Sequence, residues 1–159
     1  MSQVAISAPH LDAWRGLLNA HAALTTRVDA AFAEADLPPL TWYDVLWAVR
    51  KQEGKRARLS GLADDLTVSR GGVTKLVDRL ERAGLLVREQ CPEDRRGSYA
   101  VLTVEGEEML RRMWSVYSRV LRESVVEHLT REDAEILAEA LNRLSASGSR
   151  APVPAASTG

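Results

Sequence analysis

The sequence predicts a mainly α-helical chain carrying one small β-hairpin, and three observations predict it. Apolar residues recur at three- and four-residue steps over most of the 159 positions, the period of helices with one buried face. Serine or threonine stands just ahead of most of these blocks, at Thr41, Ser60, Ser69, Thr103 and Thr130, where a side-chain oxygen can cap a helix. The rhythm breaks between Leu86 and Thr103, where two short strand-like runs flank a polar, turn-forming segment.

Composition sets the class. With 45% apolar and 27% charged residues, the chain is an ordinary globular one, long enough to bury a core as a single domain. Its apolar runs are too short to cross a bilayer, and MSQVAISAPH lacks the basic start and apolar block of a signal peptide. A lone cysteine, Cys91, rules out an internal disulfide framework and suits a reducing compartment. These features predict a cytoplasmic protein.

The first helix runs from about His10 to Ala35, with Leu11, Trp14, Leu17, Leu18, His21, Leu24, Val28 and Phe32 along one stripe. Pro38 and Pro39 forbid its continuation. Thr41 is the expected cap of a second helix, with Asp44 as an acid in its first turn and Val45, Leu46 and Val49 inward. That helix reaches about Glu53, Gly54 is its expected stop, and Lys55 to Arg58 read as a basic loop. Ser60 is expected to cap a short third helix that buries Leu62, Ala63 and Leu66.

Thr67-Val68 make a turn, and Ser69 is the expected cap of a fourth helix ending at Gly84. Strands are expected at Leu86 to Cys91 and Tyr99 to Thr103, joined by Pro92 to Ser98. Thr103 caps a long fifth helix whose stripe includes Met109, Met113, Trp114, Tyr117 and Val125. Thr130, with Asp133 three residues on, caps a last helix with Ile136, Leu137, Ala140, Leu141 and Leu144 on one side. The small, polar, proline-interrupted residues beyond Ser145 predict a disordered tail.

This order is that of a winged helix-turn-helix. The predicted division is an extension over 1–9, a helical dimerisation region over 10–36 and 104–145, the winged helix-turn-helix over 37–103, and the tail over 146–159. The first and fifth helices are too long to be covered by a compact winged module, so their apolar stripes predict a homodimer.

Net charge is −1, yet Arg50 to Ser98 carries 12 Lys+Arg against 8 Asp+Glu, a balance of +4, and the remainder has −5. The bias is modest alone, but it falls on the helix-turn-helix. Wound as a helix from Arg70, the chain puts Val73, Leu76, Val77 and Leu80 on one face. Gly71, Lys75, Asp78 and Arg82 fall opposite, with Thr74 and Arg79 at the flanks. A major groove admits such a helix. At its start, Ser69, Arg70, Gly71, Gly72 and Thr74 surround free amides that favour a phosphate. Two glycines cost helix stability, about 1 kcal/mol each, and in return let the backbone approach DNA closely. On the hairpin, Arg95 and Arg96 suit a minor groove or its phosphates, with Asp94 orienting an arginine or bonding the turn. The expected partner is therefore double-stranded DNA, an imperfectly palindromic operator bound by the dimer.

LSGLADDL, VSRGGVTKLVDRLERAGLL and PEDRRGSYAVLTVEG resemble the MarR family of winged-helix regulators, roughly from Leu37 to Gly106. The resemblance implies an obligate, triangular dimer with interlocked N- and C-terminal helices, a regulator that represses. It implies that the helix from Arg70 to Ala83 enters the major groove and that Arg96 reaches the minor groove. Thr67 departs from the glycine common in the family's turn, and a β-branched residue tolerates positive φ poorly. Family members also commonly answer aromatic or phenolic ligands. Here Trp14, Arg15, His21, Trp42, Tyr43, Trp47, Trp114 and Tyr117 form the candidate lining for a small-molecule effector, with plain core packing as the equal alternative.

Redox sensing is disfavoured, because Cys91 has no second cysteine to resolve it, although Arg88, Arg95 or Arg96 would supply a positive field. His10, His21 and His128 are scattered, so no metal or other cofactor is expected. Phosphate-binding, nucleophile and dinucleotide motifs are missing, and the chain is not expected to be an enzyme. The alternatives are a protein–protein adaptor built on a winged domain, disfavoured by the acid-poor basic arc, and a non-specific architectural DNA binder.

Overall fold

The structure, a computed structural model, describes residues 5–66, 70–92 and 94–148, and for Arg70, Arg95, Arg96, Ser147 and Gly148 the backbone alone. The expected turn at Thr67-Val68, the cap at Ser69, Glu93 of the wing and the chain from Ser149 lie outside the described residues.

Helix α1 spans Ala8–Glu34. It stops before the prolines are reached. Asp36 takes φ 52°, and the amides of Asp36 and Leu37 donate to the carbonyls of Ala33 and Phe32 at 3.2 and 2.8 Å. That pairing is a Schellman cap with aspartate in the usual place of glycine. Helix α2, Leu40–Arg50, begins one residue before Thr41, which is therefore inside the helix and not its cap. The Leu40 amide donates instead to Asp29 Oδ1 of α1 at 2.7 Å. This cap reaches across the turn between helices, which no local pattern shows. Asp44 falls just beyond the first turn, and burial, then the neighbouring Asp29, hold its carboxyl above the usual carboxylate range.

Helix α2 ends at Arg50 and not at Glu53. Gly54 serves a 3-10 turn at Glu53–Lys55 with φ 65°. The expected basic loop is partly a strand: β1, Arg56–Arg58, pairs antiparallel with the wing through Ala57 opposite Ala100. Both alanines are buried, and a three-residue strand between arginines carries too little pattern to be read from sequence. Helix α3, Leu59–Asp65, follows β1 directly, so Ser60 is its second residue and caps nothing.

Helix α4 is Arg70–Arg82. Gly84, at φ 74°, ends it in the expected way: the Gly84 and Leu85 amides donate to Glu81 and Leu80 carbonyls, each at 2.9 Å. Strand β2, Leu86–Cys91, lies where expected. Strand β3, Asp94–Leu102, begins five residues earlier than the polar composition suggested. Residues after Asp94 are taken up in an irregularity, since Cys91 faces Asp94 while Gln90 faces Ser98. They stay extended without matching partners one for one. The sheet order is β1-β3-β2.

Helix α5, Val104–Leu121, starts on the expected cap. The Gly106 amide donates to Thr103 Oγ1 at 3.0 Å, and the Thr103 hydroxyl donates to the Gly84 carbonyl at 2.8 Å. One threonine thus ties the end of α4 to the start of α5. Gly106 is required there, because a Cβ would stand 2.2 Å from the Leu85 carbonyl oxygen. Residues from α1 through α5 share one core, with Phe32, Leu46, Val77, Leu80, Leu86 and Met113 fully enclosed.

The chain divides after Val120 into a second compact unit. The fifth helix does not run smoothly to Val125, because Arg122–Val126 form a π-turn. Helix α6, Arg131–Gly148, extends a little past the expected boundary. The Asp133 amide donates to Thr130 Oγ1, and the Thr130 amide to Asp133 Oδ2, both at 3.1 Å. This is a reciprocal cap of the expected kind.

Candidate nucleic-acid interface

Helix α4 sorts its residues by face. Val73, Val77 and Leu80 are buried, and Leu76 is half-buried against the same core. Gly71, Thr74, Lys75, Arg79 and Arg82 are exposed, while Gly72 and Asp78 are half-buried. The expected arc is therefore assembled along the helix, with Arg70 placed on it by its backbone. A Cβ on Gly71 would meet nothing within 4 Å. The protein's own packing makes no demand for glycine at that position, in contrast to Gly106.

The wing is β2 and β3. Arg95 and Arg96 lie on the β3 backbone where the register is irregular. Gly97 has Asp94 Oδ2 and Cys91 Cβ so close that a Cβ there would stand 3.1 and 3.3 Å away. The Asp94 carboxylate thus folds over the hairpin's own backbone.

At the wing's inner edge the structure supplies an arrangement that sequence reasoning missed. Arg58 Nη2 donates to the buried Cys91 Sγ at 3.1 Å. Arg56 and Arg58 lie over the Tyr99 ring at 4.1 and 5.9 Å. Cys91 first, and Tyr99 next, hold Arg58 above its ordinary value. Among the described side chains, the arginine on the thiol is Arg58, not Arg88. The signal was hidden because β1 read as loop.

The aromatic candidates separate into two groups. Tyr43, Trp47, Trp114 and Tyr117 come together: Tyr43 stacks on Trp47 at 6.3 Å, meets Tyr117 edge-on at 5.0 Å, and Trp114 meets Tyr117 edge-on at 6.0 Å. Phe32 of α1 closes on Tyr117 at 6.2 Å, and Arg50 lies 5.5 Å from the Trp47 ring. Burial pushes the Tyr43 hydroxyl up to about 12, and it also raises Tyr117. Trp47 and Trp114 are nonetheless 46% and 51% exposed, so they form the rim of the cluster and not its centre. Trp42 is half-buried on α2. Trp14, Arg15 and His21 lie on the exposed N-terminal part of α1, and among the described residues no ring contact joins them to the cluster. Nor do the described residues hold any group of three His, Cys, Asp or Glu able to bind a metal ion.

The sequence profile described as the MarR family matches residues 35–97. YkoM of Bacillus subtilis (strain 168), an uncharacterised helix-turn-helix-type transcriptional regulator, is 41% identical over 61 residues, 38% of this chain and 40% of that protein. The matched stretch spans less than two thirds of the curated relatives' own length. Solved structures extend the likeness to nearly the whole chain. AbsC, a MarR family transcriptional regulator from Streptomyces coelicolor, is 29% identical with a TM-score of 0.81, over 91% of this chain and 97% of that one. A second MarR family regulator from the same organism, solved in complex with DNA, is 30% identical with a TM-score of 0.83, over 94% of this chain and 93% of that one.

Proposed function

The chain belongs to the MarR family of transcriptional regulators, and on that premise we propose that it binds a double-stranded operator, sequence-specifically, as a homodimer. The observation that carries this reading is the outer face of α4: Gly71, Thr74, Lys75, Arg79 and Arg82 exposed together, with a glycine whose missing side chain serves nothing inside the protein. A backbone free to approach a phosphate, flanked by cations, suits the edge of a major groove. The likeness to a regulator solved with DNA supports the same reading.

The dimer is supported by apolar surface. Ile136 and Leu144 of α6 are 61% and 57% exposed, an arrangement that a second copy would cover. Two α4 helices related by a two-fold axis would then meet successive major grooves, and the operator would be an imperfect palindrome. The wing, through Arg95 and Arg96, would follow the adjoining minor groove. The role is repression without catalysis, in the cytoplasm, and no described helix is long and apolar enough to cross a membrane. The half-exposed rim of Trp47 and Trp114 over Tyr43 and Tyr117 favours a planar aromatic or phenolic effector, because flat rings add to such a cluster by edge and face contacts.

Mobility shifts with the DNA upstream of the protein's own gene test the reading. Affinity should fall about 10³–10⁵-fold between 50 and 200 mM salt, as expected of ~6–10 phosphate contacts. A response flat in salt, or equal binding to unrelated DNA, contradicts it.

A further inference from the structure

Helix α4 also carries acids, and their placement bears on how DNA would be read. Asp78 and Glu81 flank the basic face, where unpaired carboxylates would oppose phosphates. Both are taken by one residue of the wing. From β2, Arg88 Nη2 donates to Asp78 Oδ1 at 2.5 Å and Nη1 donates to Glu81 Oε2 at 3.2 Å. The Arg88 backbone amide donates to Glu81 Oε1, also at 3.2 Å. Three hydrogen bonds thus join one strand to one helix. The three side chains are 30–37% exposed, so bulk water screens them only in part. A planar guanidinium can hold two carboxylates at a set angle, which a lysine cannot.

The position of the clamp gives it leverage. Arg88 lies opposite the buried Ala100, two residues from the buried Leu86 and thus on the same face of β2. The end of β2 at Cys91 is three residues farther out, on the order of 10 Å at strand spacing. A small tilt of the strand on α4 is therefore magnified at the wing.

We propose that Arg88 is a positioning residue for DNA reading: through Asp78 and Glu81 it fixes the angle between the recognition helix and the wing. This rests on the DNA-binding role proposed above. The clamp, and not the charge it carries, is what discrimination between DNA sequences requires.

The test measures binding of the full-length protein to two labelled duplexes of equal length, one from upstream of its own gene and one of random sequence. The affinity ratio between them is the readout, and thermal unfolding confirms that each variant folds. Arg88→Met and the double variant Asp78→Ala/Glu81→Ala break the same clamp from opposite sides, since neither leaves a side-chain donor–acceptor pair, and they move net charge in opposite directions. Positioning predicts that the ratio falls in both, about tenfold, the scale of one mismatched base pair. Equal tightening on both duplexes by the double variant, with the ratio kept, would mean that the acids act by charge alone and would overturn the proposal. A ratio lost in Arg88→Met but kept in the double variant would make Arg88 a direct DNA contact and overturn it equally. If Arg88→Met does not fold, the double variant decides alone: a fallen ratio supports the clamp, and a kept ratio overturns it. A wild-type protein with no preference between the duplexes would refute the DNA-reading role itself, and the clamp's role with it.

Discussion

Helices α4 and α6 are both amphipathic, yet they use their apolar faces differently. Val73, Val77 and Leu80 of α4 are buried within the chain. On α6, none of the apolar stripe is fully buried: Ile136, Leu137 and Leu144 are exposed. The first helix is held by its own fold and leaves its polar face for an outside partner. The second leaves its apolar face, and the physical expectation for such a face is another copy of the chain.

Truncating both stripes is the strongest way to break that comparison. Leu80→Ala should lose about 2–5 kcal/mol of unfolding free energy, the cost of a cavity in a packed core. Leu144→Ala should lose none of that within one chain. Its effect should appear as a lower melting temperature at concentrations where the wild type is dimeric, with a shallower dependence on protein concentration, read by thermal unfolding over a hundredfold range. Equal, concentration-independent losses would erase the distinction.

Two glycines give the next contrast. Gly106→Ala drives a Cβ towards the Leu85 carbonyl and should cost about 1–3 kcal/mol, as overpacking does. Gly71→Ala has open space, so it should leave stability unchanged or raise it by up to ~1 kcal/mol. Its cost should fall on DNA affinity instead, by about tenfold if a phosphate contact is displaced. An alanine at Gly71 that binds DNA as before would remove the argument for close backbone approach.

The smallest effect concerns pH. Hydrogen bonding from Lys55 pulls Glu107 below its ordinary value of 4.5, and the nearby charges of Arg50 and Arg111 act in the same sense. A carboxylate lowered by folding stabilises above its unfolded value and loses that contribution as pH falls through its folded value. Glu107→Gln should therefore melt slightly below wild type at pH 7, and the gap should narrow as pH falls below the ordinary carboxylate range. A difference that persists in acid would mean that packing, and not the ion pair, separates them.

The sequence was informative where local chemistry decides the outcome. Gly84, Thr103 and the Thr130–Asp133 pair cap the elements expected of them, because each signal lies within a few residues of the helix end it serves. It was uninformative where the deciding group is distant. Asp29 caps α2 from eleven residues away, which displaces Thr41. Strand β1 exists because β3 lies beside it, and that hidden strand concealed the Arg58–Cys91 contact. Charge periodicity placed Asp78 on the basic arc, but only the fold shows that Arg88 occupies it. For the expected pocket, the family resemblance and placement on the helices grouped eight side chains, while ring packing joins only Tyr43, Trp47, Trp114 and Tyr117 of them in one cluster.

The central claim is that one copy reads half a site and the exposed stripes bring a second copy to the other half. Sedimentation equilibrium of the full-length protein, alone and saturated with its footprinted upstream DNA, tests it directly. The account predicts two protomers in both samples, with an imperfectly palindromic footprint whose half-sites are about one helical turn apart. A monomer bound to a single asymmetric site would contradict it.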